Sequence, residues 1–381
     1  MKSAIQFGGG NIGRGFIGAL LSNAGYHVVF ADVNEAVINA LNTDNKYTVF
    51  VYDEVKSEEE IKNVSGVIST SPEMIDELAK PEVELITTAV GLLVLPRIAP
   101  SIAKGITKRM EAGIKTIVNV IACENAINGS SALKEHVYEN LSDEAKAYAD
   151  EFFGFPNCAV DRIVPPVTTE NVADVIVESY YEWDVQKDGF KGEIPQIEGM
   201  TLVDNLSAYL ERKLFTLNCG HAVTAYLGVQ KGYDTVEQSI NDPEILKVVK
   251  GAMMESGNAL IKKYSFDETA HHAYIDKIIN RFKNPHLNDS VTRVGREPLR
   301  KLSSTDRLVK PLTTANEFGF AVDNLVTGIA SALHYFDETD AQSAELKKHL
   351  EENGVKGAFT KVSGVTDNTL VEKVEAAYNA Q

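Results

Sequence analysis

The chain is short of four things, and each shortage excludes a class of function. Cysteine is scarce: Cys123, Cys158 and Cys219 are all there is in 381 residues. Their number is odd, they lie far apart and no C-x-x-C occurs, so neither a disulfide framework nor a dithiol redox motif is expected. That pattern points to a reducing compartment, the cytoplasm. Basic charge is short as well. The 37 Lys and Arg face 54 Asp and Glu, a formal charge of -17, which argues against a nucleic-acid partner. Long apolar runs are missing too. The longest mainly apolar stretch, Leu85 to Leu95, is about half of the ~20 residues that span a bilayer, so no membrane partner is expected. The first residues, Ser3 to Phe7, already read as a strand, which predicts no signal peptide. Metal-ligand spacing is also lacking. Cys219 and His221 stand two apart, Cys123 and Cys158 are remote, and His271 and His272 are adjacent and would point apart on a helix. No metal site is predicted. There is no internal repeat and no low-complexity segment.

What is present is an ordinary soluble composition, 44% apolar and 24% charged, long enough for two domains. The first half alternates β-rich runs with helical segments. Strands are expected at Ala4–Phe7, Val28–Asp32, Val49–Val51, Gly66–Ser69, Val83–Val90 and Thr116–Ile121. Gly25 is placed to end the first helix, and Asn34 to cap the second, whose Val37, Ile38 and Leu41 share a face. Alternating strands and helices imply a parallel, doubly wound sheet. Val160–Val164 is a further strand, Pro165-Pro166 a firm break, and Asp174 to Val185 one or two strands more. Lys187 to Gly199 is rich in Gly, Lys and Pro and reads as a connection. From Asp204 the pattern is helical: Leu206–Tyr226, Pro243–Lys263, Thr269–Phe282, Phe318–Phe336 and Ala341–Asn353. The fold class expected is α/β: a Rossmann-type doubly wound sheet domain over residues 1–199, then a mainly α-helical substrate domain over 200–381.

The turn after the first strand reads Phe7-Gly8-Gly9-Gly10-Asn11-Ile12-Gly13-Arg14 and fits G-x-G-x-x-G between a strand and a helix. Gly8 permits a tight turn, Gly10 lets backbone approach a pyrophosphate, and Gly13 lets the helix pack closely on the sheet. The helix N-terminus then offers free N–H groups to the anion. Asp32 ends the second strand, 19 residues after Gly13. There a carboxylate takes ribose hydroxyls and repels a 2′-phosphate, so NAD is the expected cofactor. Arg14 is either a second phosphate contact or a surface residue.

The second informative stretch runs from Glu211 to His221. On an α-helix of about 100° per residue, Lys213 at 0° puts His221 near about 80° and Asn218 near about 140°. The three can line one broad face. Alcohol oxidation needs such a set: a base for the hydroxyl proton, an amide for the developing alkoxide, and a group that orients the substrate. The surrounding Leu214, Phe215, Leu217, Ala222 and Val223 are apolar, so these polar groups need a reason to be there. Gly220 inside a helix suggests close approach by another group.

Lys213-x4-Asn218-x2-His221 resembles the signature of the long-chain, metal-independent polyol dehydrogenases. Ile121–Asn125, Ala159–Pro166, Glu211–Leu227 and Arg293–Leu302 also match, so the resemblance covers nearly the whole chain. In the glycine loop the middle residue of that family is usually Ala, and here it is Gly9. The resemblance implies NAD-dependent hydride transfer on a phosphorylated sugar alcohol. It implies Lys213 as general base, Asn218 and Asn125 as amides at the reacting oxygen, His221 as the orienting group, and a monomer. Between Thr292 and Lys310 lie Arg293, Arg296, Arg300, Lys301, Arg307 and Lys310. Arginine's fork suits a phosphate, and Arg293, Arg296, Arg300 and Lys301 are the candidate phosphate ligands. A sugar-acid reductase of the same group, or a module that binds NAD without turnover, are the rival readings. The trio Lys213, Asn218 and His221 speaks against the second.

Overall fold

The computed structural model describes residues 1–53, 55–164 and 169–381; Pro165-Pro166 lies outside them. The chain divides into two compact units, Met1–Leu206 and Ser207–Gln381.

The first unit is built on β1 (Ser3–Phe7), β2 (His27–Asp32), β3 (Lys46–Val51), β4 (Ser57–Lys62), β5 (Val64–Ile68), β6 (Val83–Thr88), β7 (Val118–Ala122) and β8 (Phe153–Gly154). Six of these form one parallel sheet in the order β5-β2-β1-β6-β7-β8. Counted along the chain within that sheet, the order is 3-2-1-4-5-6, which reverses direction between β1 and β6. Ligands of such sheets bind in the crevice at that reversal, outside the carboxyl ends of the strands. β7 is buried along its whole length and β6 almost so, because helices cover both faces. One apolar cluster lies on each side of the sheet, one around Phe16, Phe30 and Trp183 and the other around Phe7, Ile102 and Phe153.

Strand β4 escapes a pattern reading because Glu58, Glu59 and Glu60 occupy it. It pairs antiparallel with β3 as an exposed hairpin arm. β9 (Cys158–Asp161), β10 (Val175–Val177), β11 (Glu182–Gln186) and β12 (Met200–Val203) complete the unit. β10 adds to β3, and β11 joins β9 to β12. The segment expected to connect two domains thus runs on into a strand of the first unit.

The second unit is helical. Its element of most interest runs as helix Leu206–Arg212, a π-helical turn Lys213–Asn218, and helix Cys219–Lys231. Helix Pro243–Tyr264 packs against that last segment and against helices Glu268–Phe282, Val309–Glu317 and Asp323–His334. Gly220 explains itself here: a Cβ on it would lie 2.7 Å from Met253 Sδ, so the glycine is what lets the two helices close. Helix Ala341–Ser363 breaks at Gly354, whose φ is 62°. Asn368–Ala380 is the last helix.

Candidate active site

The glycine loop is held from within. Gly8 has φ 91° and its N–H donates to Ala31 O at 2.8 Å, which ties the turn to β2. A Cβ on Gly13 would lie 1.9 Å from Gly8 O, so only glycine fits there. Gly10 is the opposite case: it is exposed, and a Cβ on it would meet nothing within 4 Å. The loop is therefore closed at Gly8 and Gly13 and open at Gly10, where a pyrophosphate has room. Asp32 is half-buried; its Oδ2 accepts from Gly9 N–H at 2.6 Å and its Oδ1 from Asn34 N–H at 2.9 Å. The carboxylate thus stands beside the loop, where a ribose hydroxyl can reach it and a 2′-phosphate is repelled. Glycines, helix start and carboxylate together fit NAD.

Arg14 is neither on the surface nor aimed outward. It is 5% exposed, and its guanidinium donates to Gly9 O at 2.6 Å and to Val172 O at 2.8 Å. Burial lowers its pKa. Arg14 braces the back of the loop. The following turn, Gly13–Gly18, is π-helical. Such a turn leaves carbonyls without their usual partners, and here side chains supply them. Tyr47 OH donates to Arg14 O at 2.6 Å and Arg162 Nη1 to Gly15 O at 3.0 Å.

Facing the loop across the reversal point is the segment after β6. Glu124, 6% exposed, accepts from Thr88 OH at 2.7 Å, Val90 N–H at 2.9 Å and Gly91 N–H at 2.9 Å. This one carboxylate fixes the 88–91 backbone. Sequence reading missed it, although it sits next to Asn125. Asn125 itself is exposed just past the carboxyl end of β7.

In the second unit the π turn changes the geometry expected for Lys213 and Asn218. Cys219 N–H donates back to Leu214 O, an i→i+5 bond. In that register each residue turns through a smaller angle than in an α-helix, so Asn218 comes round nearer to the side of Lys213 than an α-helical wheel puts it. The regular α-helix that the wheel assumed is interrupted here by a π turn. Phe215 O, released by the π turn, accepts from Ser256 OH at 2.8 Å. Lys213 and Asn218 are half-buried and Cys219 is buried, its thiol pushed up to about 12 by burial.

His221 is anchored. Its Nε2 lies 2.7 Å from Asp289 Oδ2, and its ring stacks on Phe282 with centroids 5.1 Å apart. Asp289 Oδ1 in turn takes Arg293 Nε at 2.9 Å and Arg293 Nη2. Burial would raise the Asp289 carboxyl; His221 and Arg293 outweigh it and hold it below the usual range.

The structure divides the basic segment. Arg293 is on Asp289, Arg300 bonds Glu297 and Asp306 at 2.9 Å each, and Arg307 bonds Asp306 at 2.7 Å. Lys310 reaches Glu211 at 2.7 Å, as does Lys263. Glu211, two residues before Lys213, is thereby held below the usual carboxylate range despite its burial. Lys301 is buried and donates to Arg296 O. Burial, with Arg307 and Arg300 nearby, brings its amine down to about 7. Arg296 is exposed and makes no ion pair among the described residues. No group of three or more His, Cys, Asp and Glu among the described residues is placed to hold a metal ion. No helix among them is long and apolar enough to cross a membrane.

The fold as a whole has solved counterparts. A D-sorbitol dehydrogenase in substrate-free form superposes with a TM-score of 0.85 at 18% identity, over 100% of this chain and 93% of that one. A Pseudomonas fluorescens mannitol 2-dehydrogenase in ternary complex with NAD and D-mannitol gives 0.74 at 16% identity, over 100% and 91%. At such identities the likeness is one of fold. The family models are more specific. Residues 2–199 match the mannitol dehydrogenase Rossmann domain, and residues 205–381 match the mannitol dehydrogenase C-terminal domain. The chain belongs to the mannitol dehydrogenase family.

Proposed function

We propose that this chain interconverts D-mannitol 1-phosphate and D-fructose 6-phosphate, with Lys213 as general base. The observation that supports this chemistry best is the π turn, which spans Lys213 to Asn218 and leads straight into the helix of the anchored His221. When bound, NAD supplies the hydride acceptor. Lys213 takes the hydroxyl proton as the carbonyl forms. The Asn218 amide, with Asn125, donates to the oxygen while it carries negative charge. His221, held by its carboxylate, orients the substrate. Asp32 and the glycine loop hold the cofactor. The phosphate ester is supported by the resemblance of the quoted stretches to mannitol-1-phosphate 5-dehydrogenases. Of the candidate cations Arg293, Arg296, Arg300 and Lys301, exposed Arg296 supports it too. A cytoplasmic monomer fits the cysteine pattern and the resemblance.

Replacing Lys213 by Ala should lower kcat by about 10²- to 10⁴-fold, the usual worth of a positioned base, while NADH affinity stays near wild type. A kcat within a few-fold of wild type removes Lys213 from that role. A second reading, an unphosphorylated polyol or a sugar acid as substrate, is favoured by the acids that already neutralise Arg293, Arg300, Arg307 and Lys310.

A further inference from the structure

Asp289 was not among the residues singled out by sequence, yet it is one of the buried carboxylates of the second unit. Its side chain is 6% exposed. One oxygen meets His221 Nε2 at 2.7 Å and the other is held by Arg293. Its backbone is fixed as well. Asp289 O accepts from Val236 N–H at 2.9 Å, Val291 N–H donates to Asp234 O at 3.0 Å, and Thr235 and Ser290 form a β-bridge between them. Thr235 is itself locked by a capping box with Gln238. Helix Cys219–Lys231, which carries His221, is therefore tied to a carboxylate whose position two other segments enforce.

We infer that Asp289 is a positioning residue for the reaction, acting through His221: it fixes the ring rotamer and the tautomer with the proton on Nε2. An ionised carboxylate can only accept, and at 2.7 Å it is attracted to the ring nitrogen only if that nitrogen carries hydrogen. Nδ1 of the neutral ring is then left as an acceptor for a substrate hydroxyl. Phe282 stacked on the ring blocks the alternative of a ring swing. Arg293 keeps Asp289 ionised and turned toward His221. Its place in the basic segment is thereby explained without a phosphate. The inference rests on the functional reading above, in which His221 touches the substrate.

The test uses the full chain in four forms: wild type, Asp289→Asn, His221→Ala and the double variant. Each is measured for kcat and KM with fructose 6-phosphate and for NADH binding. ¹⁵N-histidine NMR at pH 8 reads the His221 tautomer. Wild type should show the proton on Nε2. In Asp289→Asn that signature should be lost or mixed, because an amide can also donate. kcat/KM should fall about tenfold or more with NADH binding unchanged. In the His221→Ala background, Asp289→Asn should cost almost nothing further, as two steps of one path do. An unaltered tautomer in Asp289→Asn overturns the inference. So does a loss that adds in full to that of His221→Ala, since Asp289 would then act on the fold. If wild type turns over no polyol or ketose, the functional reading fails, and the tautomer alone decides whether Asp289 governs His221.

Discussion

His271 shows what a single buried residue does to this protein. It is 3% exposed, and its Nε2 finds no hydrogen-bond partner among the described residues. Burial first, then the nearby Arg212 and His272 charges, bring its pKa down to about 4. In the unfolded chain it titrates near ~6.5. As pH falls below that value the unfolded state takes the proton first, so the contribution of His271 to stability should drop between about 6.5 and about 4 and stay unchanged above. His271→Leu removes the group and should flatten that fall in Tm measured from pH 8 to pH 5. Two parallel curves would show that His271 is not the acid-sensitive site. At this scale the sequence was legible where chemistry follows chain order. Asp32 lies a fixed distance past the glycine loop, and Lys213, Asn218 and His221 sit on one helical stretch. It was silent where contacts join distant positions. Glu124 acts on Val90, 34 residues away, and Asp289 on His221, with no local pattern to mark either. Arg14 was left open for the same reason, since its partner Val172 is 158 residues off.

Among the elements, the glycine loop gives the sharpest contrast. Gly13→Ala forces a Cβ against Gly8 O at 1.9 Å, whereas Gly10→Ala meets nothing within 4 Å. Gly13→Ala should therefore lower both Tm and NADH affinity. Gly10→Ala should keep Tm within a degree or two and lose NADH affinity alone, because its Cβ projects into the space reserved for the pyrophosphate. Titration of NADH fluorescence beside a melting curve separates the two. Equal NADH affinity in Gly10→Ala and wild type would place the cofactor elsewhere. Strands and helices of the parallel sheet were legible from apolar runs and caps; Asn34 caps its helix as expected, accepting from Ala36 N–H at 3.1 Å. The π turns were not. Each persists because a side chain from a remote element takes a released carbonyl, Tyr47 and Arg162 in one case and Ser256 in the other. A helical wheel contains no term for that. The β4 arm was equally hidden, since its exposed glutamates are held by pairing with β3 rather than by burial.

For the molecule as a whole, the two halves of the sequence announced two kinds of architecture, and the family models divide the chain in the same sense, at 2–199 and 205–381. The strand Met200–Val203 carries the first compact unit on to Leu206, because a short four-residue strand after a glycine-rich segment leaves little periodicity to read. A chain of net charge -17 that works on a phosphate ester must set aside cations for it. Most of the cations between Arg293 and Lys310 are engaged by acids of their own unit, so substrate phosphorylation is the point on which the account stands or falls. The direct measurement is NADH oxidation, followed by absorbance, with fructose 6-phosphate, fructose and fructuronate side by side. The account predicts rapid turnover confined to fructose 6-phosphate. Turnover only on fructose or fructuronate would contradict it, leaving the lysine chemistry but assigning the site to an unphosphorylated substrate.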